Sequence, residues 1–306
     1  MSQYAAFIKE IGRGAKGARS LDRGRAQTLF ADMLAGRVAE LELGAILIAL
    51  RIKSESLDEL LGFSDAMREA ACPVAVPEGP RCVVLPTYNG ARRQPNLMPL
   101  VARLLARRGI PVLIQGRHDF ETRVDPFALL AALDLPCQHD TAAASQRLAA
   151  GEPACLPLDA LLPGLSHLLA TRLRLGVRSA GHTMAKLLDP APGRSVRVVA
   201  VTHPEYLERM DEFLLAEGGH AQLLRGTEGE IYANPRRRPR LVSYAGGTRH
   251  VAFPAEEGGA PPLPDLPGGH DVAANAATIR DMLDGSLPIP GPILDQVEAL
   301  VALAES

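Results

Sequence analysis

The sequence describes an α/β protein in which a small helical domain, discontinuous in sequence, packs on a larger α/β domain with a mostly parallel central sheet. Three features carry that reading. Residues 21–71 place apolar side chains at helical period, residues 81–115 switch to strand, helix, strand, and residues 158–189 return to helix inside the sheet-forming sequence.

Taken in order, Leu29, Met33 and Leu34, then Leu43, Ile46, Leu47 and Leu50, recur at i, i+3, i+4 spacing. That spacing predicts a bundle of amphipathic helices. Gly36 punctuates it, and Ser54 and Ser56 are N-cap candidates before the next helix. The prolines of CPVAVPEGP then end the bundle. RCVVLP reads as a buried strand, TYNGARRQP as a loop, 96–108 as a helix with Leu97, Leu100, Val101, Leu104 and Leu105 inward, and IPVLIQ as a second strand. A βαβ unit of this length implies parallel pairing. Further strands are predicted at 196–201, 221–225 and 240–244, with a helix at 204–217. EEGGAPPLPDLPGG is a connector, and two acidic helices close the chain. The expected domains are 1–73 with 156–190, and 74–155 with 191–306.

The 306 residues carry a net charge of −2, which conceals an uneven distribution. Residues 254–306 hold one basic residue, Arg280, against nine acidic ones, so the preceding 253 residues are +6. A basic body favours a polyanionic partner. No apolar run is long enough to span a membrane, and MSQYAAFIKEIGRG lacks the pattern of a secretory signal. The four cysteines (Cys72, Cys82, Cys137, Cys155) form no CxxC motif, so reduced, mostly buried thiols and a cytoplasmic location are expected.

Residues 33–69, MLAGRVAELELGAILIALRIKSESLDELLGFSDAMRE, resemble the helical segment of anthranilate phosphoribosyltransferases and pyrimidine nucleoside phosphorylases. LGVRSAGHTMAKLLDPAPG (175–193) resembles their second helical signature, and LRGTEGEIY (224–232) their acidic loop. The resemblance implies an anthranilate phosphoribosyltransferase-like fold with a cleft between two domains, and a homodimer formed through the helical domain.

Its catalytic motifs are mostly missing. The enzymes hold phosphoribosyl pyrophosphate on a GTGGD loop, whose backbone N–H groups cradle phosphate. Here that loop is Pro86-Thr87-Tyr88-Asn89-Gly90, and KHGNR becomes Ile114-Gln115-Gly116-Arg117-His118. The Asp-Glu pair that holds Mg²⁺ aligns near Glu230-Ile231-Tyr232. No metal site or cofactor is therefore expected; Glu228 and Glu230 are weak metal candidates, and Mg²⁺ belongs only to a reading as a working transferase. Catalytic residues are expected to be absent. Arg178, which faces the acidic aromatic substrate in the enzymes, serves here either an anion or a tie between helices. His167 reads as a packing histidine.

Basic residues stand where the resemblance puts the cleft. They are Arg92, Arg93 and Arg117 in loops after strands, Arg107 on the intervening helix, and Arg172, Arg174, Arg178 and Lys186 in the helical insert. Arg236, Arg237, Arg238 and Arg240 surround two prolines in the stretch 225–242, where no packing role is evident. Lys9, Arg13 and Lys16 would share a face if 9–16 is helical. Arginine suits phosphate, and the scarcity of aromatic platforms argues for backbone tracking over base reading. The combination is similar to the YbiB-type branch of the family, which implies a homodimeric, non-sequence-specific DNA- and RNA-binding protein without transferase activity. The alternative is a divergent glycosyltransferase or phosphoribosyltransferase acting on a nucleotide-like substrate.

Overall fold

A computed structural model describes residues 3–14, 16–258, 266 and 271–306. In chain order its elements begin α1 (Tyr4–Ile11), α2 (Arg23–Leu34), α3 (Glu40–Lys53), α4 (Leu57–Ala70), β1 (Cys82–Thr87), α5 (Met98–Arg107) and β2 (Val112–Gly116). Next come α6 (Pro126–Ala132), α7 (Thr141–Ala149), β3 (Ala154–Pro157), α8 (Leu158–Leu161), α9 (Pro163–Ala170), α10 (Arg172–Leu175) and α11 (Ala180–Ala185). The chain continues through β4 (Ser195–Val201), α12 (Pro204–Glu217), β5 (Ala221–Arg225), β6 (Leu241–Ala245) and β7 (Thr248–Phe253). It ends with α13 (Val272–Asp284) and α14 (Gly291–Ala304).

Two compact units result. The first gathers Met1–Cys72 and Leu158–Pro190. Its helices follow the apolar spacing: Leu29, Phe30 and Met33 of α2 and Leu60, Phe63 and Met67 of α4 are all buried. The rings of Phe30 and Phe63 stack with centroids 4.6 Å apart. Gly62 permits the close crossing, because a Cβ there would stand 2.3 Å from the carbonyl oxygen of Arg23. Ser56 caps α4 in a capping box with Glu59. The same Glu59, fully buried, accepts from Lys53 Nζ at 2.6 Å and from the Leu21 backbone at 3.0 Å, so one carboxylate ties three segments. α1 stops at Ile11, before Gly12 and a left-handed Gly14, so Arg13 and Lys16 lie beyond the helix and do not share a helical face with Lys9.

The second unit gathers Pro73–Pro157 and Ala191–Ser306. Among the described residues its strands form one sheet in the order β3-β2-β1-β4-β5-β6-β7. Pairing is parallel from β3 through β5 and antiparallel for β6 and β7. Strand order reverses between β1 and β4, the place where open α/β sheets present a ligand crevice at their carboxyl ends. One sheet face is covered by α5, α6, α13 and α14, with Val101, Leu129, Ile279, Val297 and Leu300 in the core.

Cys137 and Cys155 form a disulfide, which corrects the expectation of four reduced thiols. The segment before α7 folds back along β3: Gln138 donates its backbone N–H to Cys155 O, and its Oε1 accepts from Cys155 N, each at 2.8 Å. That pairing brings the two Cα atoms to 4.5 Å. Cys72 is exposed and Cys82 buried.

Candidate nucleic-acid interface

The loop after β1 is where the resemblance puts a phosphate cradle, and five of its backbone donors are occupied. Glu230 is fully buried and accepts from Thr87 Oγ1 at 2.6 Å and from the backbone N–H groups of Asn89 and Gly90, both at 2.9 Å. Glu228 accepts from the backbone N–H groups of Arg93 at 2.9 Å, Gln94 at 3.0 Å and Arg92 at 3.3 Å. Gly90 turns with φ +66°, and a Cβ there would meet Val124 O at 2.3 Å, so the loop has no room for a side chain at that corner. Glu228 itself holds φ +54°, a costly conformation for a residue with a side chain. Five backbone donors thus converge on two carboxylates of the same chain, an arrangement of N–H groups of the kind that holds anions.

Arg123, which the sequence reading missed, clamps the arrangement. It donates through Nη1 to Gly90 O at 2.9 Å and Glu228 O at 3.2 Å, and its guanidinium lies over the Phe120 ring. Only its place in the loop after β2 could have flagged it. In the segment Glu230-Ile231-Tyr232, which the resemblance aligns with the metal-binding pair, all three residues are buried, and the Tyr232 hydroxyl donates to Pro95 O at 2.9 Å. The residues do not fit Mg²⁺. The aligned segment keeps one carboxylate, Glu230, and both it and Glu228 are committed to hydrogen-bond donors, whose positive ends repel a cation. At the end of β2, Gln115 Oε1 accepts from the buried Tyr88 hydroxyl at 2.5 Å. Burial pushes the Tyr88 and Tyr232 phenols well above their ordinary range. His118 keeps Nδ1 buried without a hydrogen-bond partner among the described residues.

The arginines divide into two groups. Arg92, Arg93, Arg236, Arg237 and Arg240 are exposed. Arg92 lies 4.0 Å from Glu228, Arg237 donates to Gly258 O, and no ion pair holds Arg93, Arg236 or Arg240 among the described residues. Arg238 is different. It pairs with Asp295 and Glu256, donates through Nε to Pro254 O at 3.0 Å, and lies over the Phe253 ring. A packing role therefore exists within the stretch where none was evident, because α14 and the segment after β7 supply the partners. Arg117 pairs with Asp119 at 2.8 Å, and Arg107 donates to Leu283 O at 2.7 Å near the C-terminus of α13. In the helical unit Arg174 pairs with Glu40, and the Arg178 carbonyl accepts from Arg51 Nη1 at 2.7 Å. Arg172 and Lys186 are half-buried, and Arg178 is exposed. His167, expected to pack, is exposed at the surface of α9.

Comparison with known proteins agrees with this scaffold. Residues 5–71 match the helical bundle domain of a glycosyl transferase family. The chain is 41% identical to YbiB of Escherichia coli (strain K12), described as an uncharacterized protein, over 99% of this chain and 95% of that one. It is 30% identical to the anthranilate phosphoribosyltransferase of Methylorubrum extorquens (strain PA1), covering 92% of this chain and 83% of the relative. Among solved structures, the anthranilate phosphoribosyltransferase of Thermus thermophilus superposes with a TM-score of 0.77 at 27% identity, covering 97% of this chain and 87% of that chain. The Saccharomyces cerevisiae enzyme in complex with PRPP and Mg shares the fold, with a TM-score of 0.73 at 14% identity over 99% and 93% of the two chains. The chain belongs to the anthranilate phosphoribosyltransferase-like family.

Proposed function

We propose that this protein binds DNA or RNA through the sugar-phosphate backbone, without sequence specificity, on a phosphoribosyltransferase scaffold that no longer performs the transfer. The observation that carries the reading is the occupation of the β1 loop by Glu228 and Glu230. A cradle whose N–H groups already hold two carboxylates does not take a pyrophosphate. Around it, the exposed guanidinium groups of Arg92, Arg93, Arg236, Arg237 and Arg240 offer planar forks for phosphate oxygens. Arg172, Arg178 and Lys186 are proposed as phosphate contacts within the helical unit. The reading needs neither a metal nor another cofactor.

A homodimer through the helical unit is part of the proposal. Leu41, Ala45, Ile48 and Ile52 form one stripe on α3, with Leu41 85% and Ile52 67% exposed, and such a stripe supports a partner helix face. The proposal also places the protein in the cytoplasm, with its nucleic-acid partners; no helix among the described residues is long and apolar enough to cross a membrane.

The alternative, a transferase acting on a nucleotide-like substrate, is separated by one paired experiment. Incubation with anthranilate, phosphoribosyl pyrophosphate and Mg²⁺ is expected to give no product, while labelled oligonucleotides bind. Turnover of about 1 s⁻¹ or more, without oligonucleotide binding, would reverse the assignment.

A further inference from the structure

A cavity of about 880 Å³ opens in the α/β unit beside Glu228 and Gln94. Its floor is Leu223, Val242 and Tyr244, on the sheet face turned away from the core that holds Leu224, Leu241 and α14. Leu223 and Val242 are direct cross-strand partners, so the floor is a continuous apolar strip. Leu207 of α12 and Ala255 of the segment after β7 add apolar lining. The volume is that of a small-molecule site large enough for a nucleotide.

The rim carries five arginines against four acids, a small positive excess, and two of those arginines are held by ion pairs within the lining. Asp211 accepts from the Tyr244 hydroxyl and from Arg249. Glu228 is committed to the β1 loop, and Glu256 accepts from Arg238 N at 2.8 Å. Glu208 is the remaining acid in the lining. Against it stand Arg225 and Arg240, both exposed and neither ion-paired among the described residues, and Arg237, held only through Gly258 O. Gln94 also lines the cavity, and its Oε1 is buried without a hydrogen-bond partner among the described residues. A buried carboxamide atom left open is costly unless something completes it, and a carboxamide matches the donor and acceptor edge of a base.

We infer that this cavity binds a single nucleoside phosphate unit, with its phosphate at Arg225, Arg240 and Arg237 and its base on the Leu223–Val242 floor beside Gln94. The unit is either a free nucleotide or an unpaired nucleotide of a strand; the latter source rests on the nucleic-acid reading above. A base stacked inside a duplex does not reach the floor without leaving its stack.

The test is calorimetric titration with adenosine 5′-monophosphate, inorganic phosphate and adenosine, beside fluorescence titration with a labelled single-stranded oligonucleotide and a labelled duplex. Saturable binding of the monophosphate, tighter than phosphate or adenosine alone, is expected. The double variant R225A/R240A removes charge-assisted contacts from exposed positions and should weaken it by about tenfold or more. A255W, at an exposed position of the wall, should abolish it while leaving duplex binding within about twofold. Displacement of the single strand by the monophosphate identifies the strand as a source, and saturable binding without displacement identifies the free nucleotide. No saturable binding up to about 5 mM, binding no tighter than phosphate alone, or binding unchanged in both variants would overturn the assignment. If oligonucleotides bind and the monophosphate does not, this inference fails and the nucleic-acid reading stands. If the monophosphate binds and oligonucleotides do not, the reverse holds.

Discussion

Glu230 Oε1 stands 2.9 Å from the backbone nitrogens of both Asn89 and Gly90, so one buried side chain from the loop after β5 fills the turn after β1. Glu230→Ala leaves the Thr87 hydroxyl and two backbone N–H groups without an acceptor in a site from which water is excluded. The expected cost is about 3–5 kcal/mol of unfolding free energy, read as a shift of the urea midpoint. Glu230→Gln keeps the shape and one acceptor and should cost less. A Glu230→Ala variant as stable as the parent would show that the loop does not rely on its carboxylate.

Glu228 is the outer half of the same arrangement, and its removal should create a function. Glu228→Ala frees the N–H groups of Arg92, Arg93 and Gln94 while leaving the Glu230 contacts in place. The variant should acquire binding of inorganic pyrophosphate with Kd of about 1 mM or below, absent from the parent, as measured by calorimetry. Identical weak binding in both proteins would mean that the donors were never held by Glu228.

Arg236 and Arg238 should separate function from stability. Arg238→Ala breaks a partly buried ion pair with Asp295, two further polar contacts and the stack on Phe253, and should cost about 1–3 kcal/mol. Arg236→Ala, at an exposed side chain with no ion pair among the described residues, should change stability by less than about 0.5 kcal/mol. Thermal melts of the two variants measure the difference.

Much of the fold was legible because its signals are local. The period of Leu29 to Leu50, the Ser56–Glu59 capping box, and the buried strands β1, β2, β4 and β5 each announce themselves within a dozen residues. β3 is only four residues long, and β7 (TRHVAF) is a largely exposed edge strand with no apolar alternation, so neither gives such a signal. The site was legible only as an absence of catalytic motifs. That Glu230 closes the β1 loop is a contact across 140 residues, and that Arg238 is a packing residue depends on Asp295 on a helix 57 residues away. Cys137 and Cys155 likewise meet only because Gln138 pairs with β3.

Tyr88, Tyr232 and Tyr244 are expected to set the alkaline limit of stability. Burial raises all three phenols, and for Tyr244 the hydrogen bond to Asp211 adds to it. A group whose folded value is raised contributes stability that is complete below its unfolded value of about 10 and is lost as pH rises toward the folded value. Unfolding free energy should therefore begin to fall above pH ~10. The phenolate absorbance of these three tyrosines should appear together with unfolding. Full phenolate absorbance with the native circular dichroism signal retained would contradict the assignment.

The exposed stripe on α3 predicts the oligomeric state. Light scattering of the parent should report twice the chain mass, and L41D/I52D should halve it while leaving the helical signal unchanged. A parent that is monomeric at about 10 μM would remove the basis for a dimer.

The central claim is tested most directly by titrating the protein with single-stranded and duplex oligonucleotides of unrelated sequence at several salt concentrations. Phosphate contacts release condensed counterions, so log K should fall linearly with log salt, by roughly 0.7 per contact for single strands and 0.9 for duplex. Affinity should vary little among sequences. R236A/R237A, which spares the packing residue Arg238, should weaken binding equally for every sequence and make the slope shallower by about 1.5 units. Absence of saturable binding at low salt, or a double variant with unchanged affinity and slope, would contradict the account.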